Sequence, residues 1–251
     1  MQCTTNNLKY TNTRFSKKIA TTNFKKHIAQ NSYPGRGIVL GKNFNNSWVL
    51  IYWIMGRSSH SRNRIFKYED GILRTEIIDY NLLKNPNFIS YNVMLDLKDR
   101  TIISNGNHSD TIFEGLKRGE SFISSLKSEK HEMDHPNYTP RIAGLLEQSN
   151  SVVSLIKISK SDFSFEHSSL QYFRYPLIQS GFGYCMTTYM GDGNPPPCFK
   201  GAPILLPIYG NLERIAEKFW NALNSENRIS LFAREIIEPG KHNYKIINRF
   251  G

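Results

Sequence analysis

Cysteine is scarce in this 251-residue chain. Cys3, Cys185 and Cys198 are odd in number and form no CxxC pair, which argues against a disulfide framework or a cysteine-rich zinc site and reads as a reducing compartment. Long apolar runs are also missing. Nothing approaches the roughly 20 residues that cross a bilayer, and no charged-then-apolar leader opens the chain, so the expectation is a soluble, cytoplasmic protein without a membrane partner. Acidic residues are absent from the whole front of the chain: twelve Lys or Arg precede Tyr68 with no Asp or Glu among them, whereas twenty basic residues face twenty-one acidic ones from there on. The net charge of +11 is thus a local surplus on a neutral body. No RNA- or DNA-reading module accompanies it, which favours a small anion over nucleic acid as the partner of Arg36, Arg57, Arg62 and Arg64.

What the chain does contain is strand pattern. Residues 1–31 are Thr/Asn/Lys-rich with little apolar period and read as a poorly ordered or loosely docked basic extension; residues 32–251 read as a single domain. Within the latter, Gly37 to Gly41 and the unbroken apolar run Trp48 to Met55 predict strands, the second covered on both faces. Further strands are predicted at Ile72 to Ile78, Phe88 to Leu97, Thr101 to Ser104, Arg141 to Leu146, Val152 to Ile158, Leu170 to Ile178, Gly183 to Met190 and Ile229 to Ile236. Helical period marks Thr111 to Ser128 and Asn211 to Asn224, the latter with Asn211 as its cap. Many strands and few helices give an α+β chain, expected as a four-layer αββα sandwich of two mainly antiparallel sheets.

Several motifs imitate chemistry. His131-Glu132-Met133-Asp134-His135 spells HExxH, but Pro136 opposes the helix that would put both histidines on one zinc-binding face. Gly35 to Lys42 is out of register for a phosphate-binding GxxxxGK loop, and reads instead as a glycine-flanked strand with Arg36 at its start. Other segments carry more weight. Arg57 to Arg64 holds three arginines and three serines directly after a buried strand, the donors a phosphomonoester needs. Tyr91 and Asn92 open a strand, Ser104 to Thr111 is a turn between strand and helix that brings Asn105 and His108 to a sheet edge, and Glu132 to Ala143 combines two carboxylates with Arg141.

Taken in order, Tyr33-Pro-Gly-Arg-Gly-Ile-Val-Leu-Gly41, Gly56-Arg57-Ser58 with Ser61-Arg62-Asn63-Arg64, Asn85-Pro86 with Tyr91-Asn92, Ser104-Asn-Gly-Asn-His-Ser-Asp-Thr-Ile112 and Thr139-Pro-Arg-Ile-Ala143 resemble the archaeal-type IMP cyclohydrolase family. Beyond Gly144 the resemblance fades to general layout, with Phe199-Lys200-Gly201 and the helix from Asn211 as remnants. The resemblance implies a fold like that of N-terminal-nucleophile hydrolases, without their autocatalysis, since Tyr33 begins the family segment. It implies closure of 5-formamidoimidazole-4-carboxamide ribonucleotide (FAICAR) to IMP with loss of water, with no metal or organic cofactor. By position in the family pattern, Glu132 is the proton acceptor and Tyr91 the donor or oxyanion partner, while Asn105 and His108 orient the formyl and carboxamide groups. Arg36 and Arg141 fall near the base or the developing oxyanion. Arg57, Ser58, Asn63 and Arg64 are the phosphate contacts, with Asn92 and Thr139 also on the substrate. Relatives with this fold imply a homo-oligomer. The competing readings are a purine-nucleotide binder without turnover or with altered specificity, a zinc hydrolase using His131, Glu132 and His135, and a nucleic-acid module built on residues 1–31.

Overall fold

The computed structural model describes residues 2–82 and 90–250. The expected turn at Asn85-Pro86 and the first residues of the strand predicted from Phe88 lie outside them. Helix α1 (Gln2–Asn23) runs into a π-helical turn, Phe24–Ala29. Then follow β1 (Gly37–Lys42), β2 (Trp48–Met55), the short α2 (Ser59–Arg62), β3 (Arg64–Glu69), β4 (Ile72–Ile77), β5 (Asn92–Leu97), β6 (Arg100–Ser104) and α3 (His108–Lys117). The second half comprises β7 (Arg141–Glu147), β8 (Val152–Lys160), β9 (Ser168–Tyr175), β10 (Phe182–Thr187), β11 (Ile204–Pro207), α4 (Leu212–Ala222), β12 (Arg228–Glu238) and β13 (Lys241–Asn248). The result is an α+β chain with two antiparallel sheets, a six-stranded one in the order β11-β10-β1-β2-β12-β13 and a seven-stranded one running β3 to β9 in chain order.

Strand β2 shows why the sheets meet. Every residue of it is buried. Leu50, Tyr52 and Ile54 point into one cluster with Ile103, Ile142 and Leu155 of the other sheet, whereas Val49, Ile51 and Trp53 point the opposite way, onto Ile215 and Phe219 of α4. Alternation of side chains along a strand requires both faces to be apolar when both are covered, hence the unbroken run in the sequence. Each such side chain contributes on the order of 1.5–3 kcal/mol by burial. On the far face of the seven-stranded sheet, Ile102, Ala143, Leu145 and Ile156 pack on Ile112 and Leu116 of α3.

The predicted α4 forms as expected, with Asn211 Oδ1 accepting from the Arg214 N–H at 3.0 Å. Helix α3 is shorter than its predicted span to Ser128. Gly119, at φ +84°, turns the chain, and Leu126 joins the core from a separate 3₁₀ turn. Three strands escaped the pattern. β3 carries three charges in six residues, β13 is a half-exposed edge, and β11 is only four residues long. In the basic front segment, Phe24 and fully buried Ile28 pack with α4 residues, and Asn23 Nδ2 donates to Leu205 O at 3.0 Å. Among the described side chains of this segment Ala20, Ile28 and Asn31 are buried, too few and too widely spaced to give an apolar period.

Candidate active site

One end of the sheet pair opens into a cavity of about 390 Å³ lined by Tyr33, Arg36, Met55, Arg57, Ser58, His60, Ser61, Arg64, Glu132, Asp134, Asn137, Thr139 and Tyr189. That size suits a small-molecule ligand. Its walls come from five places in the sequence: the segment before β1, the β2–α2 turn, the start of β3, the loop before β7 and the residues after β10. Two glycines let the backbone come close enough. At Gly35, φ is +73° and a Cβ would overlap Thr188 Oγ1 and the Tyr189 ring, so the turn delivering Arg36 needs a residue without one. At Gly56 a Cβ would overlap the Ser61 hydroxyl, which folds back to the Ser58 carbonyl at 2.8 Å.

The basic end is built by this turn. Ser58 and Ser61 cap α2 reciprocally, each backbone N–H donating to the other's hydroxyl at 3.1 Å. Arg64 is buried, and its Nε donates to Ser61 O at 2.8 Å. Arg57 is half-exposed and lies 4.7 Å over the Tyr33 ring, which stacks on Tyr189. Burial and the neighbouring Arg36 charge both hold the Arg64 guanidinium below its ordinary pKa, although Tyr91, Tyr52 and Glu132 pull the other way. For Arg36, burial also acts downward, but Glu132, Tyr91, Tyr52 and Tyr189 outweigh it and raise the group. Its Nε is buried without a hydrogen-bond partner among the described residues. Two guanidiniums so close in a low-dielectric cavity repel each other, and an anion between them would relieve that repulsion.

At the other end sits Glu132. Its residue is 7% exposed, and burial, assisted by Asp134, raises its carboxyl above the usual range despite Arg36, Arg141 and Arg64. A carboxylate that holds its proton more tightly than usual is a better base. Asp134 is occupied differently: Oδ1 accepts from the Thr139 N–H and Oδ2 from the Thr139 hydroxyl, both at 2.6 Å. The Thr139 oxygen therefore receives the Tyr189 hydroxyl proton at 2.6 Å, completing a Tyr189–Thr139–Asp134 chain along the wall. Below Arg36, the buried Tyr91 and Tyr52 hydroxyls share a 3.1 Å hydrogen bond.

The structure thus brings Arg36, Arg57, Ser58, Arg64, Glu132 and Thr139 to one cavity. The other sequence candidates stand behind the lining. Asn105 spends its side chain on backbone, donating to Pro140 O at 3.0 Å and accepting from the Ile142 N–H at 2.7 Å. His108 donates from Nε2 to Ile142 O at 3.1 Å, which leaves Nδ1 to accept from Arg141 at 3.1 Å. Arg141 in turn donates to Lys130 O and Asn107 Oδ1, both at 2.8 Å. Asn63 clamps the Asp79 backbone through both ends of its amide, and Asn92 donates to Asp110 at 2.8 Å. These residues hold the loop and strand ends from which the lining projects.

Residues 131–135 are not helical, so His131 and His135 do not share a helix face; each ring instead meets Tyr138 edge-on. Among the described residues, no three His, Cys, Asp or Glu side chains converge as metal ligands. Sequence reasoning missed Tyr189, which sits in no motif; its only signal is its place just past a strand that pairs with β1.

Burial and Arg141 lower the His108 pKa to about 3, against some support from the Ile142 carbonyl. The ring is neutral at physiological pH, and its folded-state pKa lies below the unfolded value of 6.5. Its stabilising contribution is therefore whole above pH 6.5 and is lost as pH falls toward 3, at up to about 1.4 kcal/mol per pH unit. Urea denaturation between pH 7 and 4 is expected to show a shallower loss for His108→Gln than for the parent; equal slopes would contradict the buried neutral ring.

The family model described as "IMP cyclohydrolase-like protein" matches residues 33–240, well past the point at Gly144 where the motif resemblance fades. Among curated relatives, the IMP cyclohydrolase of Methanococcus maripaludis strain C7 is 30% identical over 165 residues, covering 62% of this chain and 74% of that protein. That of Methanothrix thermoacetophila is 27% identical over 174 residues, 68% of this chain and 80% of the relative. The Haloquadratum walsbyi protein of the same name is 31% identical over 129 residues, 50% and 62% of the two chains. With a family match spanning most of its length, the chain belongs to the IMP cyclohydrolase-like family.

Proposed function

We infer that this protein is an IMP cyclohydrolase of purine biosynthesis, acting on FAICAR. The observation that carries the reading is the cavity's polarity: two coupled arginines, Arg36 and Arg64, and the serine turn on one side, and a buried, proton-retaining Glu132 on the other. A phosphomonoester fits the first and an amide awaiting deprotonation the second.

The phosphate binds Arg57, Ser58 and Arg64, with Asn63 supporting their turn from behind. The substrate's carboxamide nitrogen attacks its own formyl carbon. Glu132 takes the proton that this nitrogen loses, and Arg36 stabilises the oxygen of the tetrahedral intermediate. The oxygen takes one proton from Tyr91, backed by Tyr52, and a second from the protonated Glu132, and leaves as water; the former formamide nitrogen returns its proton to Tyr91 as the C=N bond forms. Thr139 and Asn92 fix the walls against which the base lies, and Asn105, His108 and Arg141 position the loop carrying Glu132. Because attack is intramolecular, holding the two groups in line is most of the task, and none of these steps calls on a metal or organic cofactor.

The layered packing supports an αββα arrangement of the N-terminal-nucleophile-hydrolase type, with residues 32–251 as the enzyme domain and 1–31 as an appendage. No described helix is long and apolar enough to cross a membrane, and we place the protein in the cytoplasm, acting on a small molecule rather than nucleic acid, as a homo-oligomer. Calorimetric titration with IMP and with inosine tests the anion end: IMP is expected to bind at least about 100-fold tighter, since charge-assisted phosphate contacts of about 1.5–3 kcal/mol each are lost with inosine. Equal affinities would remove the phosphate assignment.

A further inference from the structure

The loop 191–197 joins the cavity through a contact that the proposed reaction does not use. Arg57 Nη1 donates to Asp192 Oδ1 at 2.5 Å and to the Gly193 carbonyl at 2.7 Å. Both protons of that nitrogen are thereby committed, and the guanidinium carbon sits 4.7 Å from the Tyr33 ring centroid, leaving Nε and Nη2 as the donors it can offer to the cavity it lines. Asp192 Oδ1 also receives the Gly193 N–H at 2.8 Å, and three consecutive prolines at 195–197 stiffen the loop behind it.

Arg64, 4% exposed, and Arg57 both line the cavity, whereas Asp192 is not among the lining residues and meets the cavity only through Arg57, its side chain 45% exposed; the positive groups thus face the cavity and the negative one backs the more exposed of them. An exposed ion pair of this kind adds little to stability, about 0–1 kcal/mol. Its effect is on what can lie beside it. A single phosphate on Arg64 and the inner edge of Arg57 is satisfied; a second phosphoryl group extending outward runs into a fixed carboxylate.

Building on the phosphate placement proposed above, we propose that Asp192 restricts this pocket to nucleoside monophosphates by setting a negative charge at its outer rim and holding Arg57 turned inward. The same carboxylate offsets part of the Arg57 charge, so discrimination comes at some cost in monophosphate affinity.

Calorimetric titration of the full chain and of Asp192→Asn with IMP and inosine 5′-diphosphate, at low ionic strength where exposed charges are least screened, tests this. The amide keeps an oxygen for Arg57 and for the Gly193 N–H and removes only the charge. The parent is expected to prefer IMP at least about tenfold, and Asp192→Asn to narrow that preference about fivefold or more while tightening IMP itself up to about threefold, differences of about 1 kcal/mol. Asp192→Glu should restore the preference. An unchanged ratio in Asp192→Asn, with IMP bound normally, overturns the proposal and leaves the phosphate site standing. Failure of the parent to bind IMP overturns both.

Discussion

Replacing Glu132 by Gln is expected to lower kcat for ring closure by about 10²–10⁴, the range that positioned general bases contribute, while IMP affinity stays within about threefold. The split follows from the chemistry. Gln has nearly the same shape and can still line the cavity, but it cannot accept the amide proton. Stopped assays for turnover and calorimetry for binding check the two halves separately. The parent's activity should also rise with pH through a limb above the ordinary carboxylate range, because burial makes Glu132 hold its proton and the base works only once that proton is gone. Normal turnover by Glu132→Gln would remove the base role altogether.

Asn105→Ala is expected to cost about 2–6 kcal/mol of stability, read as a lower urea midpoint. Asn105 is 1% exposed, and its amide satisfies two backbone groups at the entry to β7. Truncation strands the Pro140 carbonyl and the Ile142 N–H in the interior, at roughly 1–3 kcal/mol each. The damage should reach the chemistry through the hairpin-like loop, since the Glu132 N–H donates to Thr139 O at 2.9 Å, one residue before Pro140. A lower kcat with unchanged IMP affinity is thus expected alongside the instability. A loss below about 0.5 kcal/mol would mean that Asn105 is not the clamp.

Much of this arrangement was legible in the chain, and for identifiable reasons. Trp48 to Met55 announced a strand buried on both faces because Val49, Ile51 and Trp53 serve one layer and Leu50, Tyr52 and Ile54 another. The Arg57 to Arg64 cluster and Glu132 were visible as chemical types in an ordered pattern, and the fold brings both to the same cavity. Residues whose function lies in what they hold were harder to place. Asn105 and His108 looked like substrate contacts because their types and turn suit that task, yet their hydrogen bonds run to the backbone of residues 140 and 142. Tyr189 and Asp192 come near Thr139 and Arg57 through the pairing of β10 with β1 and the loop beyond it, contacts 50 and 135 residues apart in the chain that no local pattern encodes. Charge density hid β3, since Arg64, Lys67 and Glu69 within six residues mask a strand that only its pairing with β4 reveals.

Every assigned role depends on metal-free ring closure. FAICAR incubated with chelator-treated, metal-free protein and followed by ultraviolet absorbance should convert to IMP at a rate proportional to enzyme concentration, with Glu132→Gln as the inactive comparison. Tight IMP binding with no ring closure by the parent would contradict it, and so would turnover that appears only when zinc is restored.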